Sequence, residues 1–258
     1  MKETMYLKEE LKRAFLSKST LLSFILAILC IFAGCWQYLY FIDPDNNFLN
    51  ALLAAHSSGT MSIISLVFPI IVSLPFAASY VIDLQSGLAH YIHIRIGRVK
   101  YCFIRLFVNG IVSGAVLSVS FLILFFTLLI VYGPNVNGVF SHETVIFKEI
   151  HDKSPIVYTA ILILNTFICG IVFSTLGLGI STFIKNKYLA VLTPFLCYLF
   201  SGTILVQVNK FFHLGILFDW DYYNDLQLST VLISYIIIFL IGIGLFLFGA
   251  LKKGEDHV

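Results

Sequence analysis

Charge is scarce in this chain. Of its 258 residues, 16 are Lys or Arg and 14 are Asp or Glu, a charged share of 12%. That is about half the share of an ordinary soluble domain. Apolar residues make up 59%, and a soluble fold of this length could not hide so much apolar surface, because the buried fraction rises only slowly with chain size. A soluble globular domain is thereby excluded, and a lipid solvent is implied. The net charge of +2 gives no sign of nucleic acid or acidic partners; where the charges sit matters more than their sum.

Other absences exclude specific chemistries. No G-x-x-x-x-G-K-[ST] loop occurs, so the chain has no such route to ATP, and no H-E-x-x-H points to an intramembrane metalloprotease. The five cysteines (Cys30, Cys35, Cys102, Cys169 and Cys197) lack paired metal-ligand spacing and read as small apolar packing groups. No cleavable signal peptide is expected, since the first apolar stretch is too long for an h-region. His56-Ser57-Ser58-Gly59 only faintly suggests a serine-protease fragment. His90 and His93 form an H-x-x-H with no further ligands nearby, which fits a partner-facing role better than a metal site. The Asp, Glu, Lys and Arg residues avoid the span centres, where a charge costs about 2.5–3.5 kcal/mol. Ion-coupled transport, which usually needs one, is disfavoured.

What the chain does have is long apolar runs. A crossing needs about 20 mostly apolar residues. Six runs meet that: 20–42, 60–84, 102–132 (interrupted near its start by Arg105), 156–184, 188–208 and 228–251. The expected fold is a single all-α integral membrane domain over residues 1–258, with six spans and an amphipathic arm at 1–19. Lys and Arg placement sets its direction. Thirteen lie in the arm, the 85–105 segment, the 185–187 turn and the C-terminal tail, against Lys148, Lys153 and Lys210 on the other face. The expected topology places both termini in the cytoplasm, in the plasma membrane.

In the arm, Leu7, Leu11, Ala14 and Phe15 recur at helical spacing opposite Lys8, Glu9, Lys12 and Arg13. That pattern suits a helix lying in the inner headgroup layer among anionic lipid, the alternative being a solvated cytosolic helix. Pro69 and Pro75 in the second span and Pro194 in the fifth should kink their helices unless neighbours compensate. Such kinks either line a pathway or are routine. Gly110 and Gly114 form a G-x-x-x-G, read here as intramolecular packing. Ser154-Pro155 reads as a helix start.

The most informative stretch joins spans two and three: Asp83-Leu84-Gln85-Ser86-Gly87 through His93-Ile94-Arg95-Ile96-Gly97-Arg98-Val99-Lys100-Tyr101. Apolar and aromatic residues alternate with basic ones, and a short helix from Ser86 to about Ile94 could dock a partner or lie in the interface. An acidic residue ending span two, a glycine four residues on, and a segment R-x-G-R-x-K-Y together resemble the permease subunits of type-two ABC exporters. Those usually have Glu where this chain has Asp83, and proline where it has Gly97. Gly177-Leu178-Gly179-Ile180-Ser181, Lys185-Asn186-Lys187-Tyr188 and Pro194-Phe195 extend the resemblance over the full length.

The resemblance implies that the arm is an elbow helix and that 86–94 is a coupling helix seated on a separate ATPase subunit. The seat would involve Asp83, Gln85, Ser86, Gly87, His90, Tyr91, Ile94, Arg95 and Arg98. It also implies two permease chains with two ATPases, ATP and magnesium bound by the partner and no cofactor bound by this chain. Phe24, Phe32, Trp36, Phe68, Phe76, Phe195 and Phe200 are the expected substrate pathway, suiting an amphipathic or peptide-like cargo such as an antimicrobial peptide. The outer segment from Asn209 to Gln227 either dips back into the membrane or anchors at its surface. A non-transporting accessory or sensor subunit, or a stand-alone membrane enzyme, are the other readings.

Overall fold

The structure, a computed structural model, describes residues 3–41, 47–59, 61–134, 146–184 and 186–252. Lys2, Ile42, Thr60, Lys185 and Lys253, used above to set spans and direction, lie outside the described residues. Within the described residues every regular element is helical.

Helix α1 (Glu3–Phe15) leads across a 50° bend into α2 (Lys18–Gly34), which is followed by α3 (Trp36–Tyr40). Then come α4 (Phe48–Leu53), running on through a π-helical turn at Ala54–Ser58, α5 (Ile64–Ser73), α6 (Ser79–Gln85) and α7 (Leu88–Ile96). Helix α8 (Arg98–Tyr132), α9 (Lys148–Lys153), α10 (Pro155–Ser181), α11 (Lys187–Val208), α12 (Gly215–Phe218) and α13 (Leu228–Lys252) complete the order.

Four helices, α8, α10, α11 and α13, are long and apolar enough to cross a membrane, and a fifth crossing exists if α1 and α2 count as one bent span. At 35 residues α8 is about 52 Å long, well beyond the roughly 30 Å of hydrocarbon. These four match the last four expected runs within a few residues. The first two do not emerge as continuous spans. Helix α2 stops at Gly34 after 17 residues and restarts beyond Cys35. The expected span 60–84 is broken into α5 and α6 by a turn at 74–78.

Proline is the physical reason for that second break. Pro75 has no N–H for the Ile71 carbonyl four residues earlier, and the carbonyl instead accepts from the hydroxyl of buried Ser23 on α2. Pro69 strips the Ser65 carbonyl in the same way, and the Tyr198 hydroxyl of α11 donates to it at 2.9 Å. Pro194 leaves α11 unbroken and packs beside Gly177. At Pro155 the helix α10 starts as expected, although Ser154 makes no side-chain capping bond.

Helix α10 is the hub, packed along α8, α13, α11 and α5. In lipid, helices gain no hydrophobic drive against one another, so close approach through small residues holds them. A Cβ on Gly170 would lie 2.7 Å from the Gly114 backbone, and one on Gly179 would lie 2.5 Å from the Gly242 carbonyl oxygen. The G-x-x-x-G of α8 is thus an internal α8–α10 contact.

The stretch before the second run, expected as an outer loop, and part of the 209–227 segment, expected to dip back or to anchor at the surface, are buried. Helix α4 and its π turn are enclosed as far as His56, whose ring stacks on Phe218 with centroids 4.3 Å apart. Helix α12 turns back into the bundle with Ile216, Leu217 and Phe218 fully enclosed. Asn165 on α10 donates to the Leu217 and Phe218 carbonyls at 3.0 and 3.1 Å, and Tyr235 on α13 donates to Asn165 Oδ1 at 2.6 Å. Helix α12 therefore turns back against α10 and α13, whose side chains satisfy its carbonyls, as enclosed backbone requires.

Candidate functional site

The segment between the broken second run and α8 is shaped by two glycines. Gly87 and Gly97 adopt φ of +74° and +81°, a region glycine enters without steric cost. They bracket α7, which closes the turn out of α6 and the turn into α8. Expected over 86–94, the helix occupies Leu88–Ile96.

Ala89 and Ile96 face the bundle, and the His93 ring meets Tyr101 edge-on at 4.8 Å. Burial, with Arg98 and His90 nearby, lowers the His93 pKa. The opposite side carries His90, Tyr91, Ile94 and Arg95, all exposed, with Tyr91 at 69% and Ile94 at 73%. An aromatic, an aliphatic and basic groups thus share one open ridge. Gln85 and Ser86 lie exposed at its entrance, and the Ser86 hydroxyl donates to the Asp83 carbonyl at 3.2 Å.

Two of the residues expected to meet a partner are turned inward. Asp83 has no exposed surface. Its carboxylate pairs with Arg105 of α8 and with Arg13 of α1 at 2.7 Å, and accepts from the Tyr101 hydroxyl at 3.1 Å. Arg98 donates to the Leu251 carbonyl at 3.1 Å, near the end of α13, a favourable place for a cation. Asp83 and Arg98 therefore position the loop helix and offer it no free charge.

The centre that sequence reasoning missed is the set around Asp83. Arg105 is fully buried, and Glu10 of α1, 4% exposed, lies 3.5 Å from Arg105 and 3.4 Å from Arg13. The Arg105 guanidinium also sits 4.8 Å over Phe76 and 5.1 Å over Tyr101. Two acids and two arginines from α1, α6 and α8 balance to zero charge. A signal existed: Arg105 breaks an apolar run just after an acid closes the preceding one. Such a network clamps three elements at the point where α7 leaves and rejoins the bundle.

The seven expected pathway aromatics do not share a lining. Phe68 is buried and stacked on Phe218 at 4.4 Å, and Phe76 lies under Arg105. Phe24, Phe32 and Phe195 are half-buried, and Trp36 is exposed. Phe200 alone of the seven lines a lateral groove of about 640 Å³ between α11 and α13, floored by Leu176 of α10.

Among the described residues no cluster of His, Cys, Asp and Glu could hold a metal ion. Comparisons with protein-family models, with curated proteins and with solved structures give no match.

Proposed function

We propose that this chain is the membrane subunit of an ATP-driven exporter of the type-two ABC kind, powered by a separate ATPase subunit. In this reading α2 with α3 and the broken pair α5–α6 supply the first two of six crossings. Helix α1 is the elbow helix, both termini are cytoplasmic, and a second permease chain completes the transporter. The cargo is amphipathic or peptide-like, and ATP and magnesium belong to the partner.

One observation carries the reading: α7 presents an exposed apolar and basic ridge while its base is clamped into the bundle by buried charges. An interfacial helix needs only lipid on its outer side. A helix that transmits force also needs a stiff attachment, and Asp83, Arg105, Glu10 and Arg13 supply one. A push on α7 would reach α8 directly and the arm through Glu10 and Arg13. The sequence lacks a phosphate-binding loop, which is in keeping with energy arriving from another chain.

The test is co-purification from detergent of the tagged chain expressed with its genomic neighbours, followed by an ATPase assay. An ATPase should be recovered, and lost from Tyr91→Ala/Ile94→Asp, which changes only exposed side chains and leaves the fold intact. A well-folded chain that recovers no ATPase refutes the exporter reading. Recovery of an ATPase without any turnover of ATP would instead favour an accessory or sensor subunit.

A further inference from the structure

The groove between α11 and α13 lies at mid-membrane to outer depth in the proposed orientation. Its walls are hydrocarbon from Leu196, Phe200, Leu205, Ile238 and Ile241, and Phe212 roofs its outer end. Part of its α11 wall is the π-helical turn Ser201–Leu205, a distortion frequently found at functional sites. The one hydroxyl in the lining, Ser201, is already engaged with the Tyr198 carbonyl and the Leu214 N–H. The volume falls in the range of small-ligand sites, which are mostly apolar with few polar groups.

Polarity returns just beyond Phe212, outside the lining itself, and this end is called the lip. Lys210, two residues before the roof, pairs with Asp225 and places its ammonium 5.4 Å over the Phe211 ring. Carboxylate and aromatic face together already hold a primary ammonium at this lip, and cations favour both. The sequence agrees in sign. In the proposed orientation the outer segments carry eight acidic residues against three lysines.

We propose that this groove binds a single-chain cationic amphiphile, its apolar chain between α11 and α13 and its ammonium displacing that of Lys210 at Asp225. The inference rests on the exporter reading for its purpose and on the groove and its lip for its chemistry. An anionic amphiphile would meet the Asp225 carboxylate, and a neutral one would gain nothing at the lip.

Binding is measured on the purified full chain in zwitterionic nanodiscs, without an ATPase, so failure here is separable from failure of the exporter reading. The probes are three alkyl chains of equal length ending in an ammonium, a hydroxyl or a sulfate, each with a diazirine near the chain end. Photo-labelling by the ammonium probe should map to 196–205 and 238–241 and be competed by unlabelled ammonium amphiphile. Asp225→Asn should weaken the ammonium probe by about fivefold, the scale of one exposed ion pair, and leave the hydroxyl probe unchanged. Lys210→Met should tighten the ammonium probe, because it removes the internal competitor. Ile241→Trp should block labelling by filling the groove; Leu205→Trp, at the outer end, serves if Ile241→Trp fails to fold. Equal labelling by all three probes, or affinity indifferent to Asp225→Asn and Lys210→Met, overturns the proposal.

Discussion

The Tyr198 hydroxyl stands 2.9 Å from the Ser65 carbonyl oxygen, the acceptor that Pro69 leaves without a helical donor. A side chain from α11 thus completes the backbone of α5. The same repair recurs where the Ser23 hydroxyl serves the Ile71 carbonyl below Pro75. Both prolines survive in apolar surroundings because a neighbouring helix brings an O–H to each orphaned carbonyl.

A double-mutant cycle checks this. Tyr198→Phe should cost about 1–3 kcal/mol, the desolvation penalty of a buried acceptor left unsatisfied. In a Pro69→Ala background the restored amide N–H serves Ser65, so Tyr198→Phe should then cost much less. The measurement is unfolding in mixed micelles for the four proteins of the cycle. Equal costs in both backgrounds would show that Tyr198 acts only by packing.

Burial decides what each member of the charge network contributes. Arg105 and Asp83 are wholly enclosed, whereas the Arg13 side chain is 40% exposed. Removing one partner of an enclosed pair leaves an uncompensated charge, so Arg105→Met or Asp83→Asn should each destabilise by about 3–5 kcal/mol. Combining the two should recover part of that loss, because the Asp83–Arg105 pair is gone while enclosed Glu10 keeps only Arg13. Arg13→Ala should cost no more than about 1 kcal/mol, since water screens its interactions. Thermal unfolding in detergent separates the three outcomes.

The long apolar runs made four helices legible in the sequence, because length and hydropathy suffice where a segment must satisfy its own backbone. The first two runs do not form continuous helices, because composition cannot see neighbours. Whether Pro75 kinks a helix or ends one depends on Ser23, fifty-two residues earlier in the chain. Residues 48–56 contain a histidine and an asparagine and read as a loop, yet they are enclosed between α2 and α8 by contacts that no local pattern records. The loop helix itself was legible over 86–94, and the structure shifts it to Leu88–Ile96 between Gly87 and Gly97. Its clamp was only half legible: Asp83 and Arg105 stand out as charges at run boundaries, but Glu10 looks like the polar face of an arm until α1 folds onto α8.

Asn165 offers the cleanest test of how the outer segment is held. Its amide spans the Leu217 and Phe218 carbonyls, while Tyr235 fixes its oxygen. Asn165→Leu should orphan the buried Phe218 carbonyl, while Leu217 keeps the Tyr235 hydroxyl and the Cys169 thiol as donors, and should loosen α12 from α10. Hydrogen exchange at 215–220 should accelerate by at least tenfold, with exchange in α8 unchanged. Tyr235→Phe should give a smaller acceleration, since Asn165 keeps both donations. A uniform acceleration across the chain would mean that the substitution destabilises the whole bundle.

His213 is placed to couple the 210–218 segment to pH. Its ring is packed among the backbone positions of Gly202 and Gly215 and meets Tyr222 edge-on at 4.4 Å. Burial lowers its pKa from the ordinary histidine value, so the folded segment disfavours the charged ring. The unfolded segment binds the proton more readily, and linkage gives the sign. Stability is full above the ordinary value of about 6.5, falls as pH drops below it, and levels off once pH passes the lowered folded value. Exchange at 210–218 should therefore speed up as pH falls below about 6.5 in the native chain. His213→Gln, which keeps a polar side chain without a titrating ring, should abolish that pH dependence; if the acceleration persists in the variant, another group drives it.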